Sequence, residues 1–410
     1  MAKVKVVTGT TGTSSTTVDY TSSGFGTVDA AIVIATWANT TNNPEAGGGY
    51  SIGFTDGASE YSIQQYAQDA TSTREARTFG GNNQGIAGIL NGTSSADWYA
   101  TSSLITDGIR LDYTSGGAPS VSCYLTIILF GEMTNAYVGQ AALSGSGDHD
   151  ITSPTFKPNL VFSLTRGRNI TNDYAGHNNM HFGAVHNNSS DVVSEACINY
   201  WRNSLTDPTQ AAIRLNTAGN HRYISGYDMN FTTFDSSGFT INTGATDPGG
   251  DYVYYLALDT GDTDGVDVSI IDTPTSTGSW AVTDPGFNPQ CVILVEGFNT
   301  TVDTTVNSGS EMAIGITAFD GTTIRTVGDW SQDEVYTGSN EGTWSADSLS
   351  FESNAGVQYA GTLTSLDSSG YTLSMSSVSG TSHKWISIAI SSGTNPAPIF
   401  SNHLNMLNNG

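Results

Sequence analysis

The stretch DTGDTDGVDV at residues 259–268 sets Asp259, Asp262 and Asp264 ahead of Gly265, with Asp267 beyond it. Closely spaced carboxylates around a glycine turn supply the hard oxygen ligands that Ca²⁺ takes. These four aspartates are therefore the candidate metal site. The distal glutamate of an EF-hand loop is missing, and the competing reading is an acidic linker. Histidines cluster once, as His177, His181 and His186 in GHNNMHFGAVHNN. Imidazoles ligate metals, but no cysteine or carboxylate joins this set, and the three read as polar residues flanking a strand. Asp333 and Glu334 in SQDEVY form an acidic pair of the kind glycosidases use, although adjacent acids on a loop are ordinarily just solvated. No H-E-x-x-H, P-loop or C-x-x-C pattern is present. The expectation is a protein that is not an enzyme and needs no cofactor beyond this Ca²⁺ candidate.

Aromatic side chains are the other candidate functional set. Trp98 and Tyr99 (SSADWYATSS), Trp201 (INYWRNS), and Trp330 with Tyr336 (GDWSQDEVYTG) lie in stretches rich in Gly, Asn and Ser. Aromatic faces beside amides and acids suit a sugar or a protein partner; packing is the competing reading for each. Trp385 and Tyr254 fall in apolar runs and are expected in the core.

Composition limits what could position these groups. Only 12% of the 410 residues are charged, while Gly (47), Ser and Thr abound. That favours strands joined by glycine-rich turns over helices. A net charge of −25 with 13 Lys and Arg argues against a nucleic-acid partner, because phosphate contacts need basic side chains. Cys123, Cys197 and Cys291 are odd in number and far apart, so no disulfide framework is expected. The opening MAKVKVVTGT has no apolar signal core, and YLTIILF (124–130) is too short to span a bilayer. Synthesis in a cytoplasm and no membrane insertion are expected.

The chain repeats itself. FDSSGFTI (234–241) returns as LDSSGYTL (366–373), with a faint earlier form, TDGIRL (106–111). PTFKPNLVFSL (154–164) returns as PGFNPQCVILV (285–295), so that Phe25, Phe156 and Phe287 recur at one period. Gly53, Gly183 and Gly315 follow the same spacing, as do Gly108, Gly238 and Gly370. YLTIIL (124–129), VYYLAL (253–258) and WISIAI (385–390) close each unit. Four landmarks in one order at intervals of 129 to 132 residues predict three tandem modules, 1–133, 134–263 and 264–396, with a C-terminal arm, 397–410. A unit of about 131 residues can bury its own core. Near-continuous apolar runs such as NLVFSL and CVILVE predict strands covered on both faces. The alternation in FTINTG and YTLSMS predicts strands with one face inward. Each module is expected to be a jelly-roll-like β-sandwich, divergent in the first, giving an all-β chain. Residues 62–70 and 194–203 read as short helices or loops.

These residues carry a resemblance. The pattern F-x-P-(N/Q)-x-V at 156–161 and 287–292, followed about 80 residues later by DSSG before an aromatic and Thr, resembles the repeat modules of tailed-phage virion proteins. Such modules are common in marine and cyanobacterial phages, in proteins described as tail-fibre or structural. The first module departs from the pattern, with Thr27 in place of the proline and no DSSG. Val161-Phe162 and Val292-Ile293 stand where the family often has Trp and Lys. The resemblance implies a virion component, made in the host cytoplasm, whose partners are other virion proteins. A tail-associated or fibre-like role contacting a host surface glycan is the first expectation. A capsid decoration or head-fibre role is the second, and a glycan-processing enzyme is a third, lesser reading.

The tail NPAPIFSNHLNMLNNG (395–410) gathers Ile399, Phe400, Leu404, Met406 and Leu407 after two prolines that disfavour helix. Apolar side chains in a chain whose loops are otherwise polar need cover. The tail is therefore expected to pack on another subunit and help form a homo-oligomer, or else to fold back on the third module.

Overall fold

The computed structural model describes residues 2–14, 16–36, 45–46, 48–67, 77–82, 86–90, 96–113, 122–143, 145–166, 178–187, 193–202, 211–216, 222–224, 227–244, 251–302, 306–307, 311–332, 340–346, 348–353 and 356–391. The chain is all-β. One 3₁₀ turn, Thr263–Gly265, is the sole helical element among the described residues. Six antiparallel sheets form sandwich-like pairs, each pair a larger sheet facing a four-stranded one.

The strand order of the larger sheet recurs along the chain. It runs Lys3–Thr10, Tyr124–Gly131, Ala30–Thr36, Gly48–Thr55, Glu60–Ala67, Arg77–Asn82 in the first part. In the second part it runs Asn135–Leu143, Asp251–Asp259, Leu160–Arg166, Asn178–Asn187, Val193–Arg202, Ala211–Asn216. In the third it runs Val266–Asp272, Lys384–Ser391, Pro289–Gly297, Glu311–Phe319, Ile324–Gln332, Asn340–Ala346. The four-stranded sheets likewise share one order. The first is Thr17–Thr21, Gly108–Asp112, Ala96–Ile105, Ala87–Leu90, and the second Gly147–Ile151, Gly238–Thr243, Tyr227–Asp235, Arg222–Ile224. The third is Gly278–Val282, Gly370–Ser377, Gly356–Asp367, Leu349–Ser353.

Residues 62–67 and 194–202, expected as helices or loops, are strands of the larger sheets. Their short apolar stretches carry no period long enough to separate helix from strand, and pairing with neighbours on both sides decides the matter.

The larger sheets are buried on both faces, which explains their continuous apolar runs. Along Ala30–Thr36, Ala31, Val33 and Ala35 point into the first sandwich, while Ala30, Ile32 and Ile34 enter a second core. Val292 and Leu294 face the third sandwich, and Cys291, Ile293 and Val295 turn the other way. Val161 faces the second sandwich, and Leu160, Phe162 and Leu164 turn away from it. The outward residues of all three larger sheets join one common core, in which Phe54, Phe130 and Phe182 surround Phe162. The molecule is thus three sandwiches around one shared apolar centre.

The repeated DSSG has a steric cause. Asp235 pairs with Gly238 and Asp367 with Gly370, closing two-residue hairpin turns. A Cβ on Gly238 would lie 1.9 Å from the Ile151 carbonyl oxygen, and one on Gly370 2.0 Å from that of Val282. Gly108 stands in the same relation to Tyr20, at 2.0 Å. At all three places two backbones pass too closely for any side chain. The next landmark is less uniform. Thr155 takes φ 63°, where Gly24 and Gly286 take 79° and 71°. A β-branched residue in the left-handed region is strained.

Two substitutions with opposite outcomes check this account in denaturant unfolding. Gly238→Ala is expected to lower stability by about 3 kcal/mol, because neither backbone can give way. Thr155→Gly is expected to raise it by about 0.5–1 kcal/mol, relief of strain outweighing the added freedom of the unfolded chain.

Candidate functional site

The four aspartates of the metal candidate do not converge. Asp262 caps the 3₁₀ turn, its Oδ1 accepting from the Asp264 N–H at 3.2 Å. Asp259 Oδ1 accepts from the Gly261 N–H at 3.0 Å. Asp267 lies on the next strand with its Oδ2 accepting from Ser269 Oγ at 2.7 Å, and burial, reinforced by the charge of Asp284, raises its pKa. Asp264 is exposed. Asp259 also accepts from Asn135 Nδ2 and Asp262 from Ser391 Oγ, each at 3.4 Å, and no group of three or more His, Cys, Asp or Glu side chains among the described residues is placed to hold a metal ion.

The histidines are also separated. His181 and His186, five apart on Asn178–Asn187, point to opposite faces of their sheet. His181 lies inside the second sandwich with Nε2 3.0 Å from Ser163 Oγ. His186 faces the shared centre and its Nε2 donates to the Thr263 carbonyl at 2.8 Å; desolvation lowers its pKa. Both are buried, where the sequence suggested polar positions beside a strand. His177 lies outside the described residues, as do Asp333 and Glu334.

Of the aromatic candidates, Trp98 is a correction. It is fully buried in the first sandwich, its ring 5.7 Å from that of Tyr113, and cannot reach a ligand. The alternation along Ala96–Ile105 turns Trp98 and Ala100 inward and leaves Tyr99 partly exposed. Trp201 pairs in register with Asn179 and Ala212, and Trp330 with Ala313 and Glu341. Both therefore sit on strands of larger sheets, on different sandwiches. Tyr336 and the tail residues Ile399, Phe400, Leu404, Met406 and Leu407 lie outside the described residues.

What the structure brings together instead is a set of clasps between sandwiches. The turn after Gly48–Thr55 puts Asp56 against the second part of the chain. Its Oδ1 accepts from the N–H groups of Ala58 and Ser59, and its Oδ2 accepts from the Val138 N–H at 2.9 Å. The turn after Glu311–Phe319 does the same toward the first part. Asp320 Oδ1 accepts from Thr322 and Thr323 N–H, and Oδ2 from the Val6 N–H at 2.8 Å and Lys5 Nζ at 3.1 Å. The side chain of Gln290 adds a second tie at this seam, accepting from the Val4 N–H at 2.8 Å. In the second part, the strands Asn178–Asn187 and Val193–Arg202 pack against Val266–Asp272 of the third. Each part thus reaches the next in one rotational sense, and the ring closes.

Strand exchange runs around the same ring. Glu45–Ala46 from the first part adds to the edge strand Asn340–Ala346 of the third. Val306–Asn307 from the third adds to Ala211–Asn216 of the second. Asp56-Gly57 and Asp320-Gly321 were legible as turns, but nothing in the residue pattern says that a turn's aspartate bonds a strand 82 or 314 residues away.

One buried acid lacks a counter-charge. Glu296 lies wholly inside the third sandwich, where Thr317 Oγ1 donates to its Oε1 and Oε2 has no hydrogen-bond partner among the described residues. Gly315 leaves the space it occupies; a Cβ there would sit 2.2 Å from Oε2. Burial pushes this carboxyl up from 4.5 to about 8, against the opposing effect of the Thr317 hydrogen bond. It is neutral in the fold at neutral pH.

No protein-family model, curated protein or solved structure matches the chain.

Two measurements check the site. Between pH 4.5 and about 8 the unfolded chain ionises Glu296 while the fold keeps its proton. Glu296 should therefore make stability fall as pH rises through this window and level off above it, the lowered pKa values of His186 and His383 opposing the fall below 6.5. The shifts of Glu60 and Asp267 act in the same direction as that of Glu296. Glu296→Gln should flatten the profile and stabilise the protein at pH 8 by on the order of 2–4 kcal/mol. At the seam, Asp320→Ala should cost about 3 kcal/mol in chemical denaturation, since it leaves the Val6 N–H without its acceptor and breaks a largely buried pair. Lys5→Met should cost less, about 1–2 kcal/mol, because the buried Asp320 loses its counter-charge but keeps the N–H donors of Val6, Thr322 and Thr323.

Proposed function

We propose that this chain is a non-enzymatic structural protein of a tailed-phage virion, tail-associated or fibre-like, with loop surfaces that contact a host glycan. The observation that carries a structural role is the shared centre. The described apolar side chains and the larger sheets are spent on joining three sandwiches into one body, and Val357 is the one large hydrophobic side chain that stands exposed among the described residues. Glu296, His181 and His186 are buried in the interior. The repeated F-x-P-(N/Q)-x-V and DSSG landmarks supply the virion assignment.

A second reading, a decoration or head-fibre protein of the capsid, is favoured by a specific feature. The three sandwiches close on one another in a ring, whereas a shaft would string them end to end. Ring closure also covers the second face of every larger sheet within one chain, so a second copy is not needed to complete the core.

Antibody labelling of purified phage particles tests the assignment. Label on the tail or its fibres is the expected result, label on the head selects the second reading, and particles free of the protein defeat both. Incubating the protein with host-surface glycans should release no sugar; release would restore the enzymatic reading.

A further inference from the structure

Each four-stranded sheet ends on one side in a short strand: Thr17–Thr21, Gly147–Ile151 and Gly278–Val282. Among the described residues each of these pairs with one neighbouring strand and has none on its outer side. Such an edge invites pairing with another segment and is ordinarily guarded by charge. The first edge exposes Asp19, paired with Arg110. The second exposes Asp148 and Asp150. The third, Gly-Ser-Trp-Ala-Val, carries no charged side chain and exposes Gly278, Ser279 and Ala281. Asp272 and Asp284 stand beyond its two ends in the sequence.

The unguarded edge belongs to the sandwich from which the chain leaves. Val282 leads through residues 283–288 to Pro289, which pairs with Ser391 at the close of the last strand. The tail, residues 392–410, lies outside the described residues, and it starts at the end of the third sandwich where Gly278–Val282 finishes. Facing sheets lie about 10 Å apart, and the four residues 392–395, extended, reach about 13 Å. A strand continuing from there along the edge runs antiparallel to Gly278–Val282. The tail's residues suit that place. It holds no Asp, Glu, Lys or Arg, in a chain of net charge −25. Pro396 and Pro398 bias Asn395 and Ala397 to extended backbone. N–H groups two residues apart on a strand point to the same side. The two missing donors therefore fall on one side, and the N–H groups of Ala397 and Ile399 on the other. Such a segment pairs along one side and is closed to further strands along the other. Ile399 and Phe400 fall on opposite faces, so one of them extends the buried row of Trp280 and Val282.

From the bare edge, the place where the chain leaves and the spacing of the prolines, we infer that Gly278–Val282 takes residues 396–401 of the same chain as a fifth, antiparallel strand of its sheet. The tail then closes the one small-sheet edge that side-chain charge leaves open. The first two sandwiches need no such strand, because Asp19, Asp148 and Asp150 guard their edges.

Amide hydrogen exchange, read residue by residue on the full-length chain, tests the inference. The amides of Gly278–Val282 that face away from Gly370–Ser377 should exchange about as slowly as those that face it. Ala397→Pro with Ile399→Pro removes the pairing donors, and should speed the outward amides by about 100-fold while leaving the inward ones slow. Pro396→Ala with Pro398→Ala changes the solvent side alone, and should leave both sets slow. Fast outward amides in the unaltered chain, or equal exchange in the two double variants, overturns the inference. Slow exchange that accompanies a dimer on sizing and is lost on dilution places the tail on a second copy, and overturns it as well.

Discussion

Everything in this structure depends on the larger sheets having no solvent face. A strand such as Ala30–Thr36 places alternate side chains on opposite sides, and here both sides are apolar. A sandwich with only its four-stranded partner would leave Ala30, Ile32 and Ile34 in water. The shared centre resolves this, because the exposed apolar face of each sandwich becomes the complement of the other two. Burial of this kind is non-directional and scales with area, so it draws the three bodies together without setting their rotation. The directional groups do that. Asp56 and Asp320 each satisfy two N–H groups of their own turn and one of the neighbouring sandwich.

The polar groups inside the sandwiches follow a related logic. Glu296, His181 and the Ser163 hydroxyl lie on the inward faces beside or opposite a glycine of the neighbouring strand. Gly315 makes room for a carboxyl where a side chain would collide with it. Such interior groups are tolerated as hydrogen-bonded species, and an acid among them as the neutral form, which is the state of Glu296 at neutral pH.

Much of the architecture was legible in the residues, and for a physical reason. The landmarks that recur are those where geometry admits few alternatives, as at Gly108, Gly238 and Gly370, where a carbonyl oxygen occupies the space a Cβ would need. Two-sided apolar runs likewise announced strands covered on both faces. Residues 62–67 and 194–202 were misread because their strand character comes from flanking strands. Trp98 was misread because adjacent Trp and Tyr on a strand point in opposite directions, and the residue types do not say which is inside. The clasps were invisible, since Asp56 and Asp320 look like any turn aspartate until the fold delivers Val138 and Val6 to them.

The seam between the first and third parts has a consequence for how the chain comes into being. Val6 waits for Asp320, 314 residues later. At roughly 5–20 residues per second of synthesis, the N-terminal strand exists for about 15–60 seconds before its clasp is made. Through that interval the first sandwich carries an apolar sheet face that only the second has begun to cover. A nascent chain in this state is exposed to the same stickiness that later holds it together, and its final closure is a long-range event of the slow class. The protein's birth is therefore governed by its last-made third: a ribosome that stops early leaves behind an open, adhesive arc.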